Sequence, residues 1–507
     1  MDHPHLAPGH CMISGPLITA RLKWRNLSRN ATMVALRTLL TLTLLLVAGS
    51  ANAAAECQLS EELLAEIRAY QPVVNRILHE IVDGRFAGET WKALAELTDE
   101  FGPRMTGSQQ LEDAIDYAVR GMVQDGLENV HTEEASVPHW VRGYERAQLV
   151  EPMRKEIAVI GLGSSVGTRK GGIVAEVVVV ESFEELASLP EELVAGKIVV
   201  YAQPWQNYGV TGQYRSQGAS AAAKKGAVAS LIRSVTQFSI GSAHTGFQEY
   251  QDGVRKIPTA CITVEDSELL LRKYRRGETL KIHLEMNDRN FKPFVSRNTI
   301  GELVGSEEKN TSVVVVSGHL DSWDVGVGAM DDGGGVMISW KALTFLKEMG
   351  LRPRRTIRAI LFTGEEQGLW GGQRYYDDHK EGGEDEFSFF FEADIGTFNP
   401  RGFDFAGNEE ASCIFQEVVK LMAPLNTTEF RKTSNAGPDV SFWNFAGYPG
   451  AALINDNDKY FWYHHSAGDS MLVEDPVSLD KCAAIWAAAA YVVADLSVPI
   501  PKVIVSN

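Results

Sequence analysis

Short apolar runs and amphipathic stretches alternate along the C-terminal part of the chain. The apolar runs predict buried strands at residues 312–317, 356–362, 387–394 and 451–455. Continuous apolar strands are typical of a parallel sheet that is covered on both faces. Residues 336–349 have apolar side chains at helical spacing, and residues 481–496 predict an alanine-rich closing helix. Strands that alternate with helices in this way predict an α/β fold.

The chain before these strands divides into a helical part and a β-rich part. Helices are predicted at residues 60–83, 90–101 and 108–125. From Tyr144 to Leu284, short β-rich runs surround one alanine-rich helix, Ser216 to Lys225. We therefore expect three parts after residue 55. They are a helical first part of the main domain at 56–143, a β-rich insert at 144–290 and the main part of that domain at 291–507.

Residues 1–55 have the features of an N-terminal extension with a secretory signal peptide. An apolar run at 39–47 precedes Ala51-Asn52-Ala53, a small-x-small cleavage pattern. The run is too short to span a bilayer, although a signal anchor is the alternative. We expect the secretory pathway, a secreted or lysosomal protein, and no stable membrane insertion after signal cleavage. Asn310 and Asn426 begin N-glycosylation sequons, which fit that route.

The charge and the cysteine content exclude some classes of protein. The chain has 48 lysines and arginines against 66 aspartates and glutamates, which gives a formal net charge of −18. A nucleic-acid-binding protein needs a basic surface, so we expect no nucleic-acid partner. The five cysteines are widely spaced and contain no Cys-x-x-Cys pair. This argues against a disulfide scaffold and against a cysteine-type zinc site.

Acidic residues and histidines follow the predicted strands at their carboxyl ends. Open α/β sheets bind ligands at that edge, so we expect these side chains to converge. The residues are His319 and Asp321, Asp331 and Asp332, Glu365 and Glu366, Asp394, and His464 and His465.

Each of these residues also has an ordinary structural explanation. A histidine near a strand end is usually a hydrogen-bonded loop residue, and a pair of carboxylates is usually a solvated turn. Here, however, Glu365-Glu366 directly follows a predicted buried strand, and Asp331-Asp332 interrupts a stretch rich in glycine. Adjacent carboxylates in an apolar setting repel each other unless a cation neutralises them. Two histidines and three carboxylates suffice for two zinc ions that share one bridging carboxylate.

Five sequence motifs connect this pattern with a known family. They are SGHLDSWDVG at 317–326, GAMDDGGG at 328–335, TGEEQG at 363–368, EADIGTF at 392–398 and YFWYHHSAGDS at 460–470. Over essentially all of residues 56–500, the chain resembles the co-catalytic zinc exopeptidases of the aminopeptidase and glutamate carboxypeptidase superfamily. The resemblance implies a mostly parallel-sheet zinc-peptidase core with helices on both faces. It also implies that the insert is a β-rich, protease-associated-like domain.

The same resemblance implies two zinc ions per subunit and a role for each motif residue. The implied ligands are His319, Asp331, Glu366, Asp394 and His465, with Asp331 bridging the two ions. Glu365 matches the general base, which takes a proton from the bridging water. In the family, the peptide bond after the bridging aspartate is cis, here Asp331–Asp332.

Two further carboxylates have supporting roles by resemblance. Asp321 is expected to orient His319. His465 fits the ligand position better than His464, because a small residue, Ser466, follows it and an acidic residue, Asp469, stands four positions on.

The resemblance implies a homodimer that hydrolyses short peptides, above all dipeptides with free termini. A zinc aminopeptidase on the same fold is an open alternative, and Asp439, Ser441 and His464 are candidates for the choice of terminus. A non-catalytic receptor-like ectodomain is a second alternative, and the complete ligand set argues against it. A glutaminyl cyclase would use one zinc and lack the insert.

Overall fold

The computed structural model of the chain describes residue 57 and residues 59–307, 311–381 and 386–503. The expected signal peptide within residues 1–55 and the sequon residue Asn310 lie outside these residues.

The strands of the described residues are numbered here in chain order. They are β1 Glu128–Val137, β2 Trp140–Val141, β3 Glu145–Glu151, β4 Lys155–Ile157, β5 Val159–Gly161, β6 Ile173–Val180, β7 Ile198–Tyr201, β8 Ala229–Arg233, β9 Thr259–Ile262, β10 Lys281–Met286, β11 Arg289–Asn290, β12 Phe294–Leu303, β13 Ser312–His319, β14 Thr356–Phe362, β15 Glu386–Glu392, β16 Pro400–Ala406, β17 Glu429–Lys432 and β18 Gly450–Asn455.

The α-helices are numbered in the same way. They are α1 Glu61–Ala69, α2 Gln71–Val82, α3 Glu89–Phe101, α4 Gln109–Gln124, α5 Phe183–Ser188, α6 Glu191–Val194, α7 Tyr208–Thr211, α8 Gln213–Lys224, α9 Val264–Arg275, α10 Gly334–Glu348, α11 Trp370–His379, α12 Glu409–Lys420, α13 Ser441–Phe445, α14 Tyr460–Tyr463 and α15 Pro476–Asp495.

One eight-stranded sheet forms the main layer of the molecule. Its strands lie in the order β1-β12-β14-β13-β15-β18-β16-β17. The four central strands, β14, β13, β15 and β18, run parallel to one another. Antiparallel pairings join β1, β12 and β14 on one side and β18 to β16 on the other. The carboxyl ends of the central strands therefore meet at one edge, as the sequence predicts.

Helices cover both faces of this sheet, which confirms the expected α/β core. Along β13, Val314 and Val316 pack in the core that contains α10 and α15, whereas Val313 and Val315 pack on the other face with Tyr375 of α11. Helix α15 is long and apolar enough to cross a membrane. However, 83% of its most apolar stretch is buried inside the fold. Helix α15 is therefore a core helix of the fold.

A second eight-stranded sheet is built from strands between Glu145 and Met286, in the order β4-β3-β10-β6-β7-β8-β9-β5. Strands β6 to β9 run parallel, and the flanking strands are antiparallel. The sequence predicted one helix here, but α5 to α9 all lie in this stretch. Helix α9 packs Leu270 and Leu271 against the sheet and exposes a charged face. The insert is thus a mixed α/β unit rather than a purely β-rich one.

The part before the insert also differs from the prediction in two places. The helix predicted at 60–83 is two helices, α1 and α2, which meet at Tyr70. Pro72 lies in the first turn of α2, where its missing N–H group leaves no helical hydrogen bond unmade. Strand β1 was not predicted, because it lies at the edge of the sheet and most of its side chains are exposed or half-buried. The ten residues of β1 therefore do not alternate between apolar and polar side chains.

Four charged side chains lie where the chain enters and leaves the insert. Arg142 donates two hydrogen bonds of 2.8 Å to the carboxylate of Asp324, and its Nη1 lies 3.2 Å from Oε1 of Glu145. Glu145 accepts from the main-chain N of Gly161 at 2.9 Å. Asp288 accepts from Gly143 N at 3.1 Å and lies beside Glu145. Burial and the negative charge of Glu145 raise the pKa of Asp288 to about 8.

We expect Asp288→Asn to flatten the pH dependence of stability between about pH 4 and pH 8. The ordinary pKa of this side chain is 3.8, so in this window the folded protein binds an additional proton here. Stability therefore falls as pH rises, by up to about 1.4 kcal/mol per pH unit from this group. Urea unfolding at a series of pH values measures this slope. Asp252→Asn, at an exposed position, is the control, and identical slopes for both variants would contradict the assignment.

Candidate metal centre

The predicted site residues lie at the carboxyl ends of the central strands. His319 is the last residue of β13, and Glu365 and Glu366 follow β14 in a short loop. Asp394 stands two residues after β15. Two more elements complete the site: the turn Ala329–Gly333 before α10 carries Asp331, and His465 follows α14.

Asp331 faces two groups of side chains, one with each carboxylate oxygen. Its Oδ1 is 3.4 Å from Nε2 of His319, and this nitrogen is 3.2 Å from Oδ1 of Asp394. Its Oδ2 is 3.3 Å from Nε2 of His465, and that nitrogen is 2.9 Å from Oε2 of Glu366. We call His319, Asp331 and Asp394 the first half-site, and Asp331, Glu366 and His465 the second half-site. All five predicted ligands thus come together.

These two half-sites fit zinc. Nitrogen and oxygen ligands lie about 2.0–2.1 Å from zinc, so neighbouring ligand atoms around a tetrahedral ion are about 3.3–3.4 Å apart. Three of the four separations above, at 3.2–3.4 Å, are close to this value, and the fourth, between His465 and Glu366, is shorter at 2.9 Å. Oδ2 of Asp331 and Oε1 of Glu366 are also buried, and neither accepts a hydrogen bond of normal geometry from the residues that the structure describes. Buried carboxylate oxygens of this kind are stabilised by a cation.

Asp321 holds the site through both its carboxylate and its carbonyl group. Its carboxylate accepts hydrogen bonds from the main-chain N of Glu365 at 3.1 Å and of Glu366 at 3.3 Å. The Nδ1 of His319 donates to the main-chain oxygen of Asp321 at 2.9 Å, whereas the nearest carboxylate oxygen is 3.8 Å away. Asp321 therefore orients His319 through its main chain and fixes the Glu365-Glu366 loop with its side chain.

Asp469 holds the turn that carries Asp331. Its carboxylate accepts hydrogen bonds from the main-chain N of Ala329 at 3.0 Å, of Met330 at 2.8 Å and of Asp331 at 3.3 Å. The Asp331–Asp332 peptide bond in this turn is cis, as the resemblance implies.

Two other side chains lie close enough to compete as ligands. Asp332 has a carboxylate oxygen within 4.8 Å of the donor atoms of His319 and Asp394, but its two oxygens accept main-chain hydrogen bonds from His319 N at 3.1 Å and Gly335 N at 3.2 Å. His464 stacks on His465 with ring centroids 3.5 Å apart, and its Nε2 is 3.5 Å from Oδ2 of Asp331. His464 therefore touches the second half-site.

A cavity of about 760 Å³ opens onto both half-sites. His464 lines it, but the other two candidates for substrate selection do not. Asp439 is fully buried and accepts from Gly372 N at 3.1 Å, and Ser441 donates to the carbonyl of Pro438 at 2.6 Å. Both of these side chains are therefore held by hydrogen bonds within the fold, away from the cavity wall.

Glu365 lies on the cavity wall beside the first half-site. Its Oε2 is 3.9 Å from Nε2 of His319. Burial and the negative charges of Asp394 and Glu366 raise the pKa of Glu365 well above its ordinary value, although His319 opposes this. Cations bound between these carboxylates would lower it again. The carboxylate of Glu365 therefore lies close to His319, but Glu365 is not one of the five predicted ligands.

Comparison with known proteins shows the family of the chain. Residues 298–490 match the model of peptidase family M28. Carboxypeptidase Q of Mus musculus is 51% identical over 441 residues, which are 87% of this chain and 93% of that protein. Carboxypeptidase Q of Homo sapiens is 50% identical over 442 residues, with the same coverage. The chain belongs to peptidase family M28.

A solved structure shows the same fold. The M28 peptidase precursor of Shewanella amazonensis superimposes with a TM-score of 0.81 at 32% identity, and the match covers 86% of this chain and 99% of that one. The family resemblance drawn from the five motifs is thus confirmed. This M28 peptidase is a zinc-dependent metallo-exopeptidase.

Sequence reasoning missed two buried arginines near the half-sites of this M28 peptidase. Arg104 is fully buried and donates to the carbonyl oxygens of Leu320 at 2.7 Å, Val327 at 2.7 Å and Gly328 at 2.8 Å. It thereby joins both ends of the loop between His319 and the turn of Asp331. Burial lowers its pKa to about 10, so it stays charged at neutral pH.

The second missed arginine, Arg215, comes from α8 of the insert. Its Nη1 donates to the carbonyl oxygen of Thr245 at 2.5 Å and lies 3.0 Å from Nδ1 of His465. Neither arginine lies in a motif, and their partners are remote in sequence, so no local pattern marks them.

We expect Arg104→Met to destabilise the metal-free protein by about 3–5 kcal/mol. The substitution leaves four main-chain carbonyls, the three named above and that of Gly102 at 3.1 Å, without their charged donor. It also removes a buried cation near several carboxylates. Urea unfolding in the presence of a chelator measures the loss. Arg154→Met, at an exposed position, should change stability by no more than about 0.5 kcal/mol. Similar small effects of both variants would show that Arg104 is not needed to hold the loop.

Proposed function

We propose that this M28 peptidase is a di-zinc exopeptidase of the carboxypeptidase and dipeptidase type, which hydrolyses short peptides and above all dipeptides with free termini. The observation that carries the proposal is the position of Asp331, whose two oxygens face different half-sites. A single ion would leave one of these buried oxygens without a partner. The curated relatives named carboxypeptidase Q support the peptidase type.

The first half-site would hold one zinc ion and the second half-site the other, with Asp331 as the shared ligand. When bound, the two ions supply Lewis-acid polarisation of the scissile carbonyl and make a water molecule more nucleophilic. Asp321 and Asp469 fix the loops that carry the ligands, through the main-chain hydrogen bonds described above. Ligand groups held in this way keep their geometry before substrate enters.

Glu365 is the proposed general base and acid. It takes a proton from the attacking water as the water oxygen bonds to the carbonyl carbon. It then gives this proton to the amine nitrogen as the C–N bond breaks, so that a free carboxylate and a free amine leave the site. The carboxylate oxygen 3.9 Å from His319 supports this assignment, because it lies beside the first half-site.

Arg215 is the proposed partner of the substrate's free carboxylate. Among the described residues that line the cavity, it is the only arginine or lysine. A carboxylate that enters a cavity with Asp331, Glu365 and Glu366 on its wall needs such a cation. The alternative is an aminopeptidase, in which the carboxylates bind the substrate's free amine instead.

The expected cellular route is the secretory pathway, with the protein secreted or lysosomal. Cys413 is part of a disulfide bond, and such bonds persist in oxidising compartments. The sequon residue Asn426 is exposed, as N-glycosylation requires. The homodimer and the domain limits at 56–143, 144–290 and 291–507 belong to the proposal as well.

We expect Glu365→Gln to lower kcat for free dipeptides by about 10²–10⁴-fold while zinc content stays at two per chain, because the amide cannot accept the proton. The measurement is hydrolysis of a dipeptide panel together with metal analysis of the same samples. Glu249→Gln, at an exposed position, is the matched control. If Glu365→Gln retained full activity, the base would have to be another group.

We expect Arg215→Met to raise KM about 10–100-fold for dipeptides with a free carboxylate and to leave KM for the corresponding dipeptide amides nearly unchanged. The reason is the loss of one charge-assisted pair worth about 1.5–3 kcal/mol. Gln213→Ala, at an exposed position on the cavity rim, is the control. Rapid hydrolysis of amides combined with no hydrolysis of N-acetyl dipeptides would favour the aminopeptidase.

A further inference from the structure

Residues of the insert donate hydrogen bonds to the main-chain carbonyl groups of two neighbouring residues, His464 and His465. Nδ1 of His244 donates to the carbonyl oxygen of His464 at 2.7 Å. The main-chain N of Thr245 donates to the carbonyl oxygen of His465 at 2.9 Å. Two consecutive residues of one insert loop therefore hold His465, a residue of the second half-site, and the residue before it.

The backbone of His465 needs this support. Its φ angle is +59°, in the left-handed region that residues other than glycine rarely adopt. Such a conformation is strained and persists only where surrounding contacts hold it. The ring is held as well, because its Nδ1 donates to the carbonyl of Thr245 at 3.3 Å. This contact leaves Nε2 facing Asp331 and Glu366.

His244 is suited to act as a fixed donor. The side chain is buried, and its pKa is lowered to about 4, chiefly by burial, so the ring is neutral with one proton. That proton is on Nδ1, because the carbonyl of His464 can only accept. The main-chain N of His244 donates to Oγ of Ser234 at 2.9 Å, and Oγ of Ser234 donates to the carbonyl of Ile262 at 2.7 Å. His244 is thereby anchored to the end of β9.

The first half-site does not depend on hydrogen bonds from the described residues of the insert. Among the residues that the structure describes, no side chain or main-chain group of residues 144–290 donates a hydrogen bond to His319, Asp331 or Asp394. Their partners come from the loops of the main sheet and from Asp469. The two half-sites are therefore supported by different parts of the chain.

We propose that His244 is a positioning residue for the second half-site, so that the insert is a structural component of one of the two metal sites. This inference rests on the proposed ligands. Loss of the Nδ1 donor frees the carbonyl of His464 and lets the left-handed His465 relax. Affinity for one of two zinc ions then falls, and the other ion is retained.

The test uses three variants of the full chain. His244→Asn keeps a side-chain N–H donor near the position of Nδ1, whereas the amide of His244→Gln reaches toward the position of Nε2. His244→Leu keeps a similar volume without a donor. Zinc content is measured by elemental analysis over a series of buffered free-zinc concentrations, and thermal unfolding with chelator identifies any variant that fails to fold.

We expect wild type and His244→Asn to bind two zinc ions. His244→Gln and His244→Leu should bind the second ion about 10–100-fold more weakly, the usual effect of removing a residue that orients a ligand. The control is His283→Leu, in β10 of the same sheet and away from the site, which should bind both ions like wild type. In a Glu366→Gln background, His244→Leu should change zinc affinity less than twofold, because the second half-site is already disabled.

Two results separate the inference from the proposed function. If His244→Gln or His244→Leu folds and binds both ions with wild-type affinity, the inference is wrong and the ligand assignment stands. If wild-type protein binds fewer than two ions at saturating zinc, the di-zinc proposal fails and the inference fails with it. Equal weakening of both ions by His244→Leu also overturns the inference, because it would show a general effect on the fold.

Discussion

The site depends on one buried carboxylate that is shared between histidines on two sides. Asp331 is 4% exposed, and its two oxygens lie 3.4 Å from His319 and 3.3 Å from His465. Because these oxygens face the two histidines, the turn that carries Asp331 is held through its main chain instead. Asp469 does this by accepting the N–H groups of the turn, and Arg104 fixes the loop that leads to it. These surrounding contacts therefore hold the side chain of Asp331 in position between the two histidines.

The second constraint is an excess of buried negative charge. Besides the ligands, Asp321, Asp332 and Asp439 are buried within the same region. Their oxygens accept main-chain N–H groups, which lowers the cost of burying each charge but does not neutralise it. Among the described residues, Arg104 donates hydrogen bonds to the loop that carries the site residues, and Arg215 lines the cavity beside them. Zinc ions between the carboxylates would restore the balance, so metal binding at this site would also stabilise the fold.

The sequence predicted those parts of the structure whose cause is local. The apolar runs predicted the central strands, and the pattern at their carboxyl ends gave nine acidic and histidine residues. The choice of five ligands among these nine came from the family resemblance and stays a prediction, although the structure brings these five side chains together. Strand β1 was missed because an edge strand has little apolar alternation. Arg104 and His244 were missed for a different reason, since their partners are main-chain carbonyls more than two hundred residues away. No spacing rule connects such residues before the fold is known.

The division of support between the half-sites has a mechanical consequence. His319, Asp394 and Asp331 receive their hydrogen bonds from described residues outside the insert, whereas the insert donates hydrogen bonds to the main-chain carbonyls of His464 and His465. Because Asp331 belongs to both sets, a displacement of His465 removes a neighbour from one oxygen and leaves the other in place. The insert therefore cannot move as a free lid without changing the metal centre. Contacts at its base, such as the paired hydrogen bonds from Arg142 to Asp324, help to hold the insert in this position.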